Sequence, residues 1–197
     1  SMLARHGFIA KTILLSLNNR GILTMEDIHS IQSSIHTVAS DLVKDMGRFQ
    51  LGELSQHDFM AEYGHLRPGT YDILSSRYDQ MPDLKLNDSK VATEEDINKY
   101  VLSKLQKSQI DQLLNDEGFS DISAESLLDY IHAATIGREY GKFVFTRSVS
   151  NILEIIANYG ELYGLSREEM SHISLDKLLE IAGKSNERSI EERLRST

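Results

Sequence analysis

The stretch SAESLLDYIHAATIGREYGKFVFTRSVSNILEIIANYGELY, residues 123–163, is the longest periodic segment of the chain. Ser123 and the polar residues after it are typical of a helix N-terminus. Mostly apolar side chains then recur at helical spacing, namely Leu127, Leu128, Ile131, Thr135, Phe143, Val149, Ile152, Ile156 and Tyr159. Gly137, Gly141 and Gly160 weaken this pattern without ending it. The stretch therefore predicts one long helix.

Two further helical patterns lie near the N-terminus. Residues 5–19 carry apolar side chains at helical spacing, and Gly21 is the expected C-cap. Thr24 and Asp27 form a capping-box sequence. It opens an apolar stripe made of Ile28, Ile31, Ile35, Val38, Leu42 and Met46. We predict one continuous helix through Met46, paired in an antiparallel hairpin with the first helix.

Capping sequences mark the other predicted helix starts, at Ser55, Thr93, Ser166 and Ser174. The helix from Ser55 is expected to end at Tyr63-Gly64, and the helix from Thr93 to continue to Gly118. The last two are expected to be short. The sequence shows neither a convincing strand pattern nor an internal repeat. It predicts an all-α, multi-helix bundle with one long C-terminal helix and an ordered Gly/Pro-rich loop.

Chain length and proline content indicate how the chain is organised. Its 197 residues contain only two prolines, which fits long helices. We predict a single helical domain over residues 1–182, with a possible sub-boundary in the polar segment 80–92, and a polar tail at 183–197. Ser1-Met2 is typical of a cloning remnant, so we expect the chain to be part of a longer protein.

The charge balance excludes some function classes. The net charge is −9, from 21 basic and 30 acidic residues, and no basic stripe suits nucleic acid. No apolar run is long enough to suggest a membrane span, and there is no signal-peptide pattern. The chain has no cysteine, which excludes disulfides and thiolate chemistry. We expect a cytoplasmic protein with no nucleic-acid or membrane partner.

Residues 63–78 interrupt the helical pattern with hydrogen-bonding side chains. They contain a proline, two glycines, a histidine, two arginines and three tyrosines. Pro68-Gly69 predicts a type II turn, and Gly64 a cap with positive φ. Arg67 precedes the proline, so its backbone is held extended. We expect this geometry to direct its side chain away from helix packing.

Two interpretations of this segment remain open. In the first it is an ordered loop between helices, and its polar residues are structural. In the second it is a cradle for phosphate or carboxylate, with Arg67 and Arg77 as planar donors and His65 as a further donor. Arg138 and Lys142, four apart in the long helix, are either a solvated face or a basic stripe that lines a cleft.

Other common site patterns are missing from the sequence. His29 and His36 are seven residues apart on one predicted helix, too far for shared metal ligation. There is no His-Glu-x-x-His motif, phosphate loop or dinucleotide fingerprint. We therefore expect no metal site and no catalytic residue in this chain.

The sequence FMAEYGHLRPGTYDILSSRY, residues 59–78, resembles the central helical region of phosphoenolpyruvate synthase and pyruvate phosphate dikinase-like phosphotransferases. The acceptor-binding domain of rifampin phosphotransferases has a similar stretch. Looser similarity extends over most of residues 5–181. It includes residues 34–38 with Asp41, the group Arg138, Glu139, Lys142 and Arg147, and residues 165–179.

The resemblance implies a phosphotransferase, or kinase, built from three parts. An ATP-grasp domain uses ATP, with Mg implied, to phosphorylate a histidine on a swivelling domain, and AMP and phosphate are released. The phosphoryl group then passes to an acceptor bound in the helical region. This chain lacks the nucleotide loop and the Thr-x-His segment of the other two parts. Their domains in the full-length protein would be its partners, and no cofactor is expected in the chain itself.

On this interpretation the chain is a helical acceptor-binding or linker domain, inactive in isolation, whose ligand is a small-molecule acceptor. The expected substrate-binding residues are His65, Arg67, Tyr71, Asp72 and Arg77, followed by Arg138 and Lys142. The alternative is a non-catalytic helical protein-interaction module whose Pro-Gly loop is scaffolding.

Overall fold

The computed structural model describes residues 2–81 and 100–183. These residues form eight α-helices and one 3₁₀ turn, and no strand occurs among them. The helices are α1 (Met2–Asn19), α2 (Met25–Ser33), α3 (Val38–Gln50), α4 (Gln56–Tyr63), α5 (Lys104–Asp116), α6 (Ala124–Leu162), α7 (Arg167–Ser171) and α8 (Leu175–Ala182), and the 3₁₀ turn is Tyr78–Gln80. The predicted all-α fold is confirmed. No helix in the described ranges is long and apolar enough to cross a membrane.

Helix α6 is the long helix predicted from residues 123–163. Its glycines remain helical and let other elements approach closely. Gly141 lies under Leu3 of α1, and a Cβ on Gly160 would come within 2.4 Å of the Met170 Cγ of α7. Glycines that lower the helix propensity of α6 therefore also accommodate its neighbours.

The chain divides into two compact units. The first comprises Ser1–Ser55 and Leu86–Val144, and the second comprises Gln56–Lys85 and Phe145–Thr197. Helix α6 contributes residues up to Val144 to the first unit and the rest to the second. The predicted boundary at 80–92 and tail at 183–197 lie largely outside the described residues. The single domain over 1–182 stays a prediction.

The core of the first unit joins α1, α2, α5 and the first part of α6. Its most buried side chains include Leu14, Ile31, Ile110 and Ile131. Helices α1 and α2 pack against each other. Gly21, with a φ of 72°, forms the turn between them, as the sequence predicts. The capping box at Thr24 is also confirmed, because its hydroxyl accepts a hydrogen bond from the Asp27 amide.

The predicted continuous helix through Met46 is wrong. Helix α2 ends at Ser33, and α3 begins only at Val38. The Ser34 hydroxyl donates to the Ile31 carbonyl, while Thr37 is extended and caps α3 together with Ser40. Hydroxyl groups that bond to nearby backbone compete with the helix, and here they end it although the apolar spacing continues.

The predicted start of the next helix also needs correction. Residues 93–99 lie outside the described residues, but residues 100–103 are not helical. Helix α5 begins at Lys104, after Ser103, whose hydroxyl accepts from the Gln106 amide. The hydroxyl of Tyr100 donates to the Asp27 carboxylate over 2.6 Å, which fixes the chain just before α5. This hydrogen bond is the largest cause of the lowered Asp27 pKa.

The second unit has its own core, formed by α6, α7, α8 and the segment after α4. Its buried members are Ile73, Ala157, Leu165, Met170, Leu178 and Ile181. The two short helices predicted from Ser166 and Ser174 are confirmed, and both serine hydroxyls accept from an amide of the first turn. Because Ile73 belongs to this core, the unusual 63–78 segment is part of the packed structure.

Candidate functional site

Residues 64–80, here called the 64–80 loop, follow α4. The end of this loop is hydrogen-bonded to its beginning. The Tyr78 amide donates to the Leu66 carbonyl over 2.8 Å, and the Asp79 amide donates to the Gly64 carbonyl over 3.1 Å. Two tighter turns lie inside, closed by hydrogen bonds from Asp72 to Gly69 and from Ser75 to Asp72. The loop is therefore a closed, compact element.

Two backbone conformations predicted for this loop are wrong. Neither Gly64 nor Gly69 has a positive φ. The type II turn at Pro68-Gly69 therefore does not form, and Gly64 is not a positive-φ cap. These glycines are needed for space instead. A Cβ on Gly64 would lie 2.4 Å from the Met60 carbonyl oxygen. A Cβ on Gly69 would lie 3.0 Å from the Asp72 Cβ.

Arg67 lies beneath the loop, with its side chain only 1% exposed. Its Nη1 donates to the carbonyls of Asp72 and Ser75 at 3.2 and 3.0 Å. Its Nε and Nη2 donate to the Ser150 hydroxyl, and Nη2 also donates to the Glu154 carboxylate at 2.9 Å. The expectation that this side chain stays clear of helix packing is wrong, because the guanidinium joins the loop to α6.

Glu154 of α6 is the acceptor at the centre of this arrangement. Besides Arg67 it accepts two hydrogen bonds from Arg167, at 3.0 and 2.6 Å, and one from Gln80 at 2.6 Å. The Arg167 hydrogen bond is the largest cause of a Glu154 pKa lowered to about 2, and Gln80 and Arg67 act in the same direction. The carboxylate is thus ionised at neutral pH and held by cations on two sides.

Arg167 and Ser150 extend the same network. Arg167 also donates to the Ile73 carbonyl over 3.2 Å, so two guanidinium groups hold the loop backbone between residues 72 and 75. The Ser150 hydroxyl donates to the His65 carbonyl over 2.6 Å. We name the side chains of Arg67, Ser150, Glu154 and Arg167 the clasp. Sequence reasoning missed Ser150, Glu154 and Arg167 as partners of the loop; the only signal for the first two was that they are polar residues four apart on α6.

His65 is buried, and its pKa is lowered to about 4. Burial is the largest cause, followed by the positive charges of Arg147 and Arg77, while a hydrogen bond with the Glu62 backbone acts in the opposite direction. The imidazole is therefore neutral at pH 7. In that state it adds no positive charge to an anion cradle.

Arg77 lies at the end of the loop and is largely covered. Its Nε and Nη2 donate to the two Asp79 carboxylate oxygens at 3.0 and 2.6 Å, and its Nη1 donates to the Asn151 side chain at 2.9 Å. Tyr71 and Asp72 are exposed at the loop surface, and the Asp72 carboxylate accepts from the Leu74 amide. Of the predicted loop residues, His65, Arg67 and Arg77 gather against α6, whereas Tyr71 and Asp72 face solvent.

The second-tier residues belong to the first unit. The Arg138 guanidinium lies 5.6 Å from the centroid of the Phe8 ring, and its aliphatic stem covers Gly7. Lys142 is exposed. These surroundings favour a helix-packing role for Arg138 and a solvated one for Lys142.

A separate cleft of about 700 Å³ lies in the first unit. Its walls come from α1, α5 and α6, and most of its lining is apolar. Its polar lining residues are Ser16, Ser126, Tyr130 and the exposed ion pair between Arg20 and Glu117 at 3.4 Å. No residue of the 64–80 loop lines it. Its volume is in the range of small-molecule sites.

Among residues 2–81 and 100–183, no group of three or more His, Asp or Glu side chains is arranged to hold a metal ion. Comparison with known proteins gives no family model, no curated protein and no solved structure that matches this chain.

Loss of Arg67 is expected to destabilise the second unit. Arg67→Ala leaves a cavity and removes one cation from a buried carboxylate, and breaking a buried ion pair costs about 3–5 kcal/mol. Arg77→Ala removes the partly exposed pair with Asp79 in the same loop, for which we expect a smaller loss of about 1 kcal/mol. Urea denaturation followed by circular dichroism measures both. Equal losses would contradict the structural role of Arg67.

The buried His65 is expected to make the protein acid-sensitive. Its pKa falls from 6.5 to about 4 on folding, so the unfolded chain binds the proton more readily. Stability conferred by the neutral imidazole is therefore lost as the pH falls through this window. Melting temperatures between pH 7 and pH 5 should fall less steeply for His65→Asn than for the parent chain. His57→Asn, at an exposed position on α4, is the control. Identical slopes for all three proteins would refute the assignment.

Proposed function

We propose that this chain is the helical acceptor-binding and linker domain of an ATP-dependent phosphotransferase of the phosphoenolpyruvate synthase and dikinase type. In the full-length protein, ATP and an acceptor would give AMP, phosphate and the phosphorylated acceptor. The sequence similarity over residues 59–78 suggests the enzyme class. The chain itself would bind and orient the acceptor without catalysing the reaction.

The cleft of the first unit is the observation that carries the acceptor-binding part of the proposal. Three helices wall it, and a mostly apolar lining with several polar side chains can bury the apolar part of a ligand and orient its polar part. This lining suits an acceptor with a substantial apolar body and a hydroxyl group as the phosphorylation site. Phosphoryl transfer depends largely on positioning, so a domain that only holds the acceptor contributes directly to the rate.

The 64–80 loop takes a different role in this proposal. The donors of Arg67 are used within the protein, so Arg67 acts as a positioning residue that fixes the loop. Tyr71 and Asp72 are the predicted residues of this loop that remain exposed for contact with a ligand or a neighbouring domain.

The second candidate function is a non-catalytic helical interaction module. The clasp favours it, because the buried Arg67 and the partly exposed Arg167 neutralise Glu154 and donate to backbone carbonyls, as structural residues do. On this view the full-length protein need not be a phosphotransferase, and the loop only stabilises the second unit.

The two half-reactions of the full-length protein separate these functions. Ser16→Trp introduces a large side chain from an exposed position of α1 into the cleft, whereas Leu15→Trp, the adjacent residue on α1, lies outside the cleft lining. We expect Ser16→Trp to raise the KM for the acceptor by at least about tenfold, which corresponds to 1.4 kcal/mol. AMP formation coupled to carrier phosphorylation should stay normal, because it takes place in other domains.

Asp72→Asn in the same assay tests the loop surface. Loss of transfer with Asp72→Asn but not with Ser16→Trp would place the acceptor at the loop and contradict the cleft assignment. A full-length protein that forms no phosphohistidine from ATP would contradict the enzyme class and favour the interaction module.

A further inference from the structure

Between Phe145 and Leu162, α6 carries apolar side chains on two opposite faces. The inner face holds Ala157 in the core of the second unit and Ser150 in the clasp. The outer face has four large apolar side chains that are between 51% and 80% exposed, namely Phe145, Ile152, Ile155 and Leu162. A helix that is apolar on both sides is normally covered on both sides.

Helix α8 adds to the outer face. Leu175 and Leu179 are exposed by more than half, and together with Ile152, Ile155 and Tyr159 they line a groove of about 270 Å³. All of these residues belong to the second unit. The face therefore has both a ridge of side chains and a groove beside it, and we call it the α6–α8 face.

The four exposed side chains of α6, together with Ser148 and the partly buried Tyr159, follow a seven-residue repeat. Phe145, Ile152 and Tyr159 occupy one heptad position, and Ser148, Ile155 and Leu162 occupy the other. This spacing is the one used by helices that pair along a seam. The flanking positions are uncharged and are Val149, Asn151, Ile156 and Asn158. A chain with a net charge of −9 can thus bring two copies of this face together without like charges along the seam.

The order of residues along the ridge fits an antiparallel copy of itself. When two ridges run in opposite directions about a central two-fold axis, Ile152 lies opposite Ile155, and Phe145 lies opposite Leu162. The third layer places the small Ser148 opposite the large Tyr159. Two of the three pairings thus bring large apolar side chains together, and the third sets a small side chain against a large one.

The exposed apolar side chains of the face also suit an interface between two protein chains. Six apolar side chains on α6 and α8, each more than half exposed, form this face, and a standard interface takes about 800 Å² from each partner. We propose that the α6–α8 face is a self-association surface, through which two copies of this chain form an antiparallel dimer. This proposal is independent of the proposed enzyme class.

Sedimentation velocity over a concentration series tests the dimer. We expect the chain to be dimeric at about 100 μM and Ile155→Glu to be monomeric with an unchanged helical spectrum, since each buried carboxylate would lie unpaired opposite Ile152 of the other copy. Leu105→Glu, at an equally exposed apolar position of α5 in the first unit, should remain dimeric. A monomeric parent chain, or a dimer that Ile155→Glu leaves intact, would overturn the proposal. A dimer that appears only after removal of residues 184–197 would assign the face to the chain's own tail and also overturn it.

Cysteine cross-linking tests the antiparallel register, because the chain has no native cysteine. Phe145→Cys and Leu162→Cys should form a disulfide when mixed and oxidised, but neither should do so alone. In the proposed dimer, identical positions at the ends of the seam are roughly 25 Å apart at 1.5 Å per residue. Efficient cross-linking of Phe145→Cys with itself would indicate a parallel pair and refute the register.

Discussion

The ion pair between Arg67 and Glu154 joins the two sequence segments of the second unit. Arg67 lies 87 residues before Glu154, and its nearly buried guanidinium bonds to the loop backbone and to α6 at once. A guanidinium suits this position because its planar donors can serve several acceptors in fixed directions. Removing either partner would leave a buried charge with fewer bonds, so the loop, Ile73 and the core beneath it depend on this pair.

The same interaction explains why a segment rich in chemically active side chains is structural at its centre. The Arg67 charge that an anion cradle would need is neutralised by Glu154, and His65 is neutral at pH 7. We propose that a ligand binds in the apolar cleft of the first unit and that two copies of the chain associate through the α6–α8 face. Each unit thus has its own surface with a distinct chemistry.

The presence of the helices could be predicted from local patterns. The positions of their ends depend on hydroxyl groups that bond to nearby backbone. The long helix α6 and the short helices α7 and α8 followed directly from periodicity and serine caps. The break at residues 34–37 was missed because the apolar spacing continues across it. The loop was recognised as special, yet the role of Arg67 was not, since its partners Ser150 and Glu154 lie more than 80 residues away and only the fold brings them together.

Amide hydrogen exchange at Tyr78 and Asp79 tests whether the clasp holds the 64–80 loop in the second unit, since both amides close this loop. If the clasp holds the loop as part of the second unit, these amides should exchange as slowly as the α6 amides around Glu154, because they open only when the unit opens. Exchange at the rate of an unstructured peptide, while the α6 amides remain protected, would contradict the account.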